Sequence, residues 1–249
     1  MSILATLPHV SDVVTALLVV LLVFVAPILG RIRYESFRKA VARDPALRLQ
    51  YYWRSLPWKY ALAAVAIVLY LANGRHGYGV HLLPTNDSSL GDALPLVIGV
   101  GLGAALLRWR IATAKRRVKV TRAIRGFADL LPRTAEERRV WVVLAISAGV
   151  TEEILYRSFM MTVVTNVVPS ADRTTIVVIA AASFGLAHAY QGLKGVALTA
   201  LVGAVLGSIV LTAGLLVAMA IHALIDLRIL IVPPDLASEV STPPDDGMQ

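Results

Sequence analysis

Long apolar runs, each close to the length of a membrane crossing, alternate along this chain with polar connections. Seven stand out, at roughly 10–30, 60–73, 92–107, 140–168, 174–190, 195–212 and 214–231. About 20 residues of helix span a bilayer. The pattern therefore predicts an all-α, polytopic transmembrane helix bundle of about seven spanning helices. The second run is short for a span. The fourth is long enough to tilt or break, and Gly149 is the expected break point. The chain divides into N-terminal membrane helices with two basic connections (1–139), a helical core (140–231) and a tail (232–249). In that tail Pro233-Pro234, Pro243-Pro244, Asp235, Glu239, Asp245 and Asp246 predict disorder.

Composition narrows the class. Of the 249 residues, 57% are hydrophobic and only 16% charged, with a mean hydropathy of +0.70, which excludes an ordinary soluble globule. Cysteine is absent, which excludes disulfides, thiolate metal ligands and a cysteine nucleophile. The net charge of +8 follows from loop bias and needs no nucleic-acid partner. The 31–59 connection holds Arg31, Arg33, Arg38, Lys39, Arg43, Arg48, Arg54 and Lys59, and the 108–139 connection is still more basic. The 74–91 loop has only Arg75, beside Asp87, and the 166–173 turn only Arg173. This asymmetry places the N-terminus outside a cell membrane and the C-terminus in the cytoplasm. The first run lacks a basic segment before it and a small-residue cleavage pattern after it, so it reads as a spanning helix. Tyr51, Tyr52, Trp53 and Trp58 among the bases suit an interfacial aromatic belt. Gly99/Gly103 and Gly203/Gly207 have the spacing for close helix approach within the bundle.

Charged groups inside apolar helices are costly and mark function. The fourth run contains Glu152, Glu153 and Arg157. Glu153 and Arg157 lie about 40° apart round a helix, in the favourable order for an ion pair, whereas Glu152 lies about 140° from Arg157. Glu153 and Arg157 thus form the expected brace, leaving Glu152 unpaired as the candidate general base. Phe184 and His188 share one face of the fifth run, and His222 and Asp226 share one face of the seventh. An Asp at that spacing can orient the imidazole or accept its proton. Carboxylates with two imidazoles suit hydrolysis: a Glu–His pair can deprotonate water and a second His can donate to an oxyanion. His and carboxylate oxygen can also ligate zinc, but no HExxH is present, so a divalent metal is compatible and not required. There is no GxS pattern at Ser208 for a rhomboid-like serine protease, and no GxGD for an aspartyl intramembrane protease.

In order, Glu152-Glu153-Ile-Leu-Tyr-Arg157, Phe184-Gly-Leu-Ala-His188 and His222-Ala-Leu-Ile-Asp226 resemble the EExxxR, FxxxH and HxxxN/D motifs of the CAAX protease and bacteriocin-processing (CPBP, or Abi) family. The resemblance covers about residues 140–230. It implies an all-helical, glutamate-dependent intramembrane endopeptidase related to CAAX prenyl protease 2, with the site between the C-terminal helices. By that resemblance the catalytic residues are Glu152, His188, His222 and Asp226. Glu152 and His188 activate water, and His222 with the residue at 226 stabilises the oxyanion. Glu153, Arg157 and Phe184 are structural support. Eukaryotic members carry Asn where this chain has Asp226. A carboxylate cannot donate to an oxyanion, so Asp226 must be protonated or act by orienting His222.

The Ala-, Val- and Arg-rich composition reads as bacterial. The expected substrate is accordingly a peptide or membrane-associated protein segment met in the lipid bilayer. A non-catalytic immunity or scaffold protein, binding a partner through the same polar cavity, is the alternative. A transporter is disfavoured, because the first three runs hold no polar set to match the C-terminal one. Glu152 lies about 20 Å along a straight helix from Arg139, whereas His188 sits near the cytoplasmic end of its helix. Their meeting requires the fourth run to tilt, break near Gly149 or begin as an interfacial helix. The site is expected to open to the cytoplasmic side.

Overall fold

A computed structural model describes residues 7–73, 94–112 and 125–236. The loop with Arg75 and Asp87, the basic stretch Lys115 to Arg122 and the tail from residue 237 lie outside the described residues. Every described element is helical. Helix α1 (Leu7–Val20) passes through a π-helical turn, Leu21–Val25, into α2 (Ala26–Arg43). Pro27 stands at the start of α2, where its missing N–H leaves the carbonyl one turn back without its usual donor. Then come α3 (Leu47–Asn73), α4 (Leu94–Ile111) and α5 (Ala135–Glu153), which runs into a π-helical segment, Ile154–Phe159. Helices α6 (Met160–Val167), α7 (Arg173–Ala187), α8 (Gly192–Ala213) and α9 (Leu215–Leu227) complete the bundle.

Where they are described, the apolar runs lie largely on helical segments. Among the described residues, two helical stretches are long and apolar enough to cross a membrane, Val10–Arg43 and Ala189–Ala213. Leu17, Phe24, Val68, Leu102 and Leu201 are more than 60% exposed, while Arg48, Glu137, Glu153 and Arg157 are buried. An apolar exterior around buried charges is the arrangement lipid favours, since only the interior can satisfy a charge. The protein is a membrane protein.

Three boundaries differ from the hydropathy pattern. The 31–59 connection is mostly helix, because α2 runs on to Arg43 and α3 starts at Leu47. Hydropathy marks where a helix meets lipid, whereas its backbone hydrogen bonds continue into polar turns supported by pairs such as Arg31–Glu35, 3.1 Å. The expected break at Gly149 is absent: α5 continues through it, and the irregularity falls at Ile154–Phe159. The tail boundary at 232 runs through a packed segment, because Val232 and Leu236 are buried against Ile111 and Leu131.

Packing explains the glycines. Helix α9 lies antiparallel to α5, and a Cβ on Gly149 would stand 2.7 Å from the Met219 carbonyl oxygen. Only glycine admits that approach. On α8, a Cβ on Gly203 would come within 3.0 Å of the Phe184 ring, so Gly203 seats Phe184. Gly99 and Gly103 meet no described neighbour within 4 Å, so the close approach expected there is not made by the described residues.

Helix α3 runs parallel to α5. Arg48 pairs with Glu137, the Tyr52 ring meets Trp141, and Lys59 reaches Glu152. The polar connection thus becomes the start of a helix that flanks the site.

Candidate active site

Helix α5 begins with a capping box: Glu137 N–H donates to Thr134 Oγ1 and Thr134 N–H to Glu137 Oε2, each at 3.1 Å. Its early turns also bind the end of the last helix. Trp141 Nε1 donates to the Asp226 carbonyl at 3.1 Å, and Arg138 donates to the carbonyls of Leu230 and Val232. Helix C-termini leave carbonyls without intrahelical donors, and here α5 supplies donors at the segment that carries Asp226. The far end of α5 delivers Glu152 and Glu153, and the π-helical segment that follows carries Arg157. Single π-helical turns inside helices recur at functional sites.

The two acids have different surroundings. Glu153 is fully buried, with Oε1 3.1 Å from Arg157 Nη1 and 2.7 Å from His222 Nδ1. Arg157 donates through Nη2 to the Gly203 carbonyl at 3.2 Å and lies over the Phe184 ring, 4.2 Å from its centroid. Glu153 and Arg157 therefore tie α5 to α8 and α9 as well as to each other. Glu152 keeps 16% of its side chain exposed. Its Oε1 accepts from Lys59 Nζ at 2.7 Å, and its Oε2 faces His222 Nε2 at 3.9 Å. Glu152 is thus not unpaired, as helix geometry alone predicts. The missing partner comes from α3, more than ninety positions away in the chain.

Each imidazole is oriented through one nitrogen. His188 caps α7, and its Nδ1 donates to the Phe184 carbonyl at 2.9 Å. A carbonyl only accepts, so Nδ1 carries the hydrogen and Nε2 is left for other work. His222 Nδ1 is held by Glu153, which leaves its Nε2 between Glu152 Oε2 and Asp226 Oδ2, the latter at 3.8 Å. The hydrogen bond that orients His222 therefore comes from Glu153 rather than from Asp226. Phe184 is nearly fully buried, with its ring 4.8 Å from His188 and 5.7 Å from His222. Glu152 interacts electrostatically with His188, His222 and Lys59, and Asp226 with the same groups. Glu152, Glu153, Arg157, Phe184, His188, His222 and Asp226 thus occupy one cluster. Among the described residues, no group of three His, Asp or Glu side chains is placed to hold a metal ion.

The meeting of Glu152 with His188 needs no break in α5. The helix starts at Ala135, so its polar first turns lie at the base of the bundle and its last turn reaches the imidazoles. Lys59 is the member that motif reading missed. Its signal was faint: a single cation at the edge of the short second run, easily counted with the connection's other bases.

Comparison with curated proteins and with solved structures gives no match. A protein-family model does match: residues 135–228 correspond to the type II CAAX prenyl endopeptidase Rce1-like family, a peptidase family. The matched span begins at the capping box of α5 and ends just beyond Asp226. The ordered motifs and the clustered acids and imidazoles all fall inside it, so this part of the chain is similar to the Rce1-like type II CAAX prenyl endopeptidase family.

Proposed function

We propose that this protein is an intramembrane endopeptidase that hydrolyses a peptide bond in a membrane-associated peptide or protein, with Glu152 as general base. The observation that carries this reading is the gap between Glu152 Oε2 and His222 Nε2. At 3.9 Å it is too long for a direct hydrogen bond, so Oε2 and Nε2 are both left to bind a water or a substrate group. In the proposed reaction Glu152, aided by His188, takes a proton from a water as its oxygen adds to the scissile carbonyl. His222, with its Nδ1 hydrogen held by Glu153, donates to the oxyanion from Nε2 as the imidazolium. Collapse of the adduct breaks the C–N bond, and the proton held by Glu152 passes to the leaving amine. Asp226 acts on His222 across 3.8 Å and donates to the oxyanion only if it carries a proton. The mechanism invokes no metal.

The same reading includes about seven spans, an outside N-terminus, a cytoplasmic C-terminus and a site opening to the cytoplasm. Support comes from the Lys and Arg bias of the 31–59 and 108–139 connections over the 74–91 and 166–173 ones.

Glu152→Gln keeps the shape of the side chain and removes the base. Cleavage should fall by about 10²–10⁴-fold while the protein still inserts and accumulates. Comparative membrane proteomics of wild-type and variant cells should show an uncleaved precursor in the variant. Unchanged processing in Glu152→Gln cells would overturn the catalytic reading in favour of a binding protein.

A further inference from the structure

Lys59 lies on α3, outside the matched span, yet its Nζ makes the short contact to Glu152 Oε1. The groups facing this acid come from every neighbouring helix: Lys59 from α3, His188 from the end of α7, and His222 and Asp226 from α9. Glu153 and Arg157 are engaged with each other beneath it, and Tyr190 lies within electrostatic reach. Two carboxyl groups, Glu152 and Asp226, thus face the same imidazole nitrogen. Like charges so placed repel, and at this depth water screens them weakly. Lys59 is within reach of both acids. It is also the more exposed partner, at 30% against 16% for Glu152.

Resting on the endopeptidase reading above, we infer that Lys59 is a positioning residue that completes the site from the N-terminal helices. By occupying Oε1 it keeps Glu152 charged and turns Oε2 toward His222 Nε2, where the proposed reaction takes up its water. The N-terminal helices therefore supply part of the catalytic geometry. The competing role, Lys59 leaving Glu152 to bind a substrate carboxylate, makes a different kinetic prediction.

The test uses the full-length protein purified in detergent, with Lys59→Met, Lys59→Gln and Lys59→Arg compared with wild type. A hydrophobic carbodiimide, which modifies buried carboxyl groups in their uncharged form, is applied near neutral pH, and labelling at Glu152 is read by peptide mass spectrometry. Labelling should rise several-fold in Lys59→Met and Lys59→Gln and stay near wild type in Lys59→Arg. On the precursor found by proteomics, Lys59→Met should lower kcat by about 10–100-fold with KM little changed, and Lys59→Arg should recover much of the loss. Wild-type labelling in both uncharged variants would overturn the inference, as would a rise in KM with kcat unchanged. Labelling requires no turnover, so this outcome is independent of the Glu152→Gln result that decides the endopeptidase reading. Lys59→Gln keeps the test open should Lys59→Met fail to fold.

Discussion

Arg48–Glu137 and Lys59–Glu152 each set a base on α3 against an acid on α5, and they lie along one parallel helix pair. At the first, both side chains are at most 5% exposed. Arg48 also donates to the Asp129 carbonyl, and Glu137 accepts from the backbone N–H groups of Arg133 and Thr134. At the second, both partners keep some exposure, and one carboxylate oxygen faces an imidazole across a gap. The residue chemistry is nearly the same, so what separates brace from site is how completely the surroundings satisfy the acid. A carboxylate whose lone pairs are taken by fixed donors stabilises a structure. One with an oxygen left facing open space can move a proton.

Breaking the braced pair should have the largest effect on stability. Arg48→Met strands Glu137 in the interior and should cost about 3–5 kcal/mol, read as thermal unfolding in detergent. Activity per folded molecule should be unchanged. A loss in specific activity at normal stability would erase the distinction between the pairs.

Gly149→Ala tests whether the open pair depends on helix spacing. The added methyl meets the α9 backbone, and overpacking of this kind costs about 1–3 kcal/mol. Because α9 carries His222, specific activity should fall along with stability. Wild-type activity in a correctly folded Gly149→Ala protein would show that the gap between Glu152 and His222 tolerates helix displacement.

Thr134→Ala should have the smallest effect, about 1 kcal/mol, from loss of the helix cap. It acts at the braced end of α5, so thermal stability should drop slightly while cleavage of the precursor stays at the wild-type rate. Any change in rate would mean that the start of α5 influences Glu152, about 26 Å away along the helix.

Much of the helical architecture could be read from the chain, because a membrane forces apolar residues into runs that few soluble folds contain. The likeness of Glu152, Glu153, Arg157, Phe184, His188, His222 and Asp226 to one family's motifs was legible for a related reason. Ionisable groups are rare in apolar helices, so six of these residues stand out from their background, and Phe184 is marked only by its four-residue spacing from His188. Spacing on one helix also paired Glu153 with Arg157, since a four-residue separation is a local geometric fact.

Tertiary structure decided the rest. That Glu153 orients His222, that Lys59 holds Glu152, and that Gly149 lets α9 come close are contacts between segments far apart in sequence. No periodicity encodes them, because periodicity reports which face of a helix turns inward and not which helix it meets. The sequence alone therefore determined the helical class of the protein and its likeness to one family over residues 135–228. The fold decided which acid was braced and which was left open, because the availability of a carboxylate oxygen depends on every donor the packed helices bring to it.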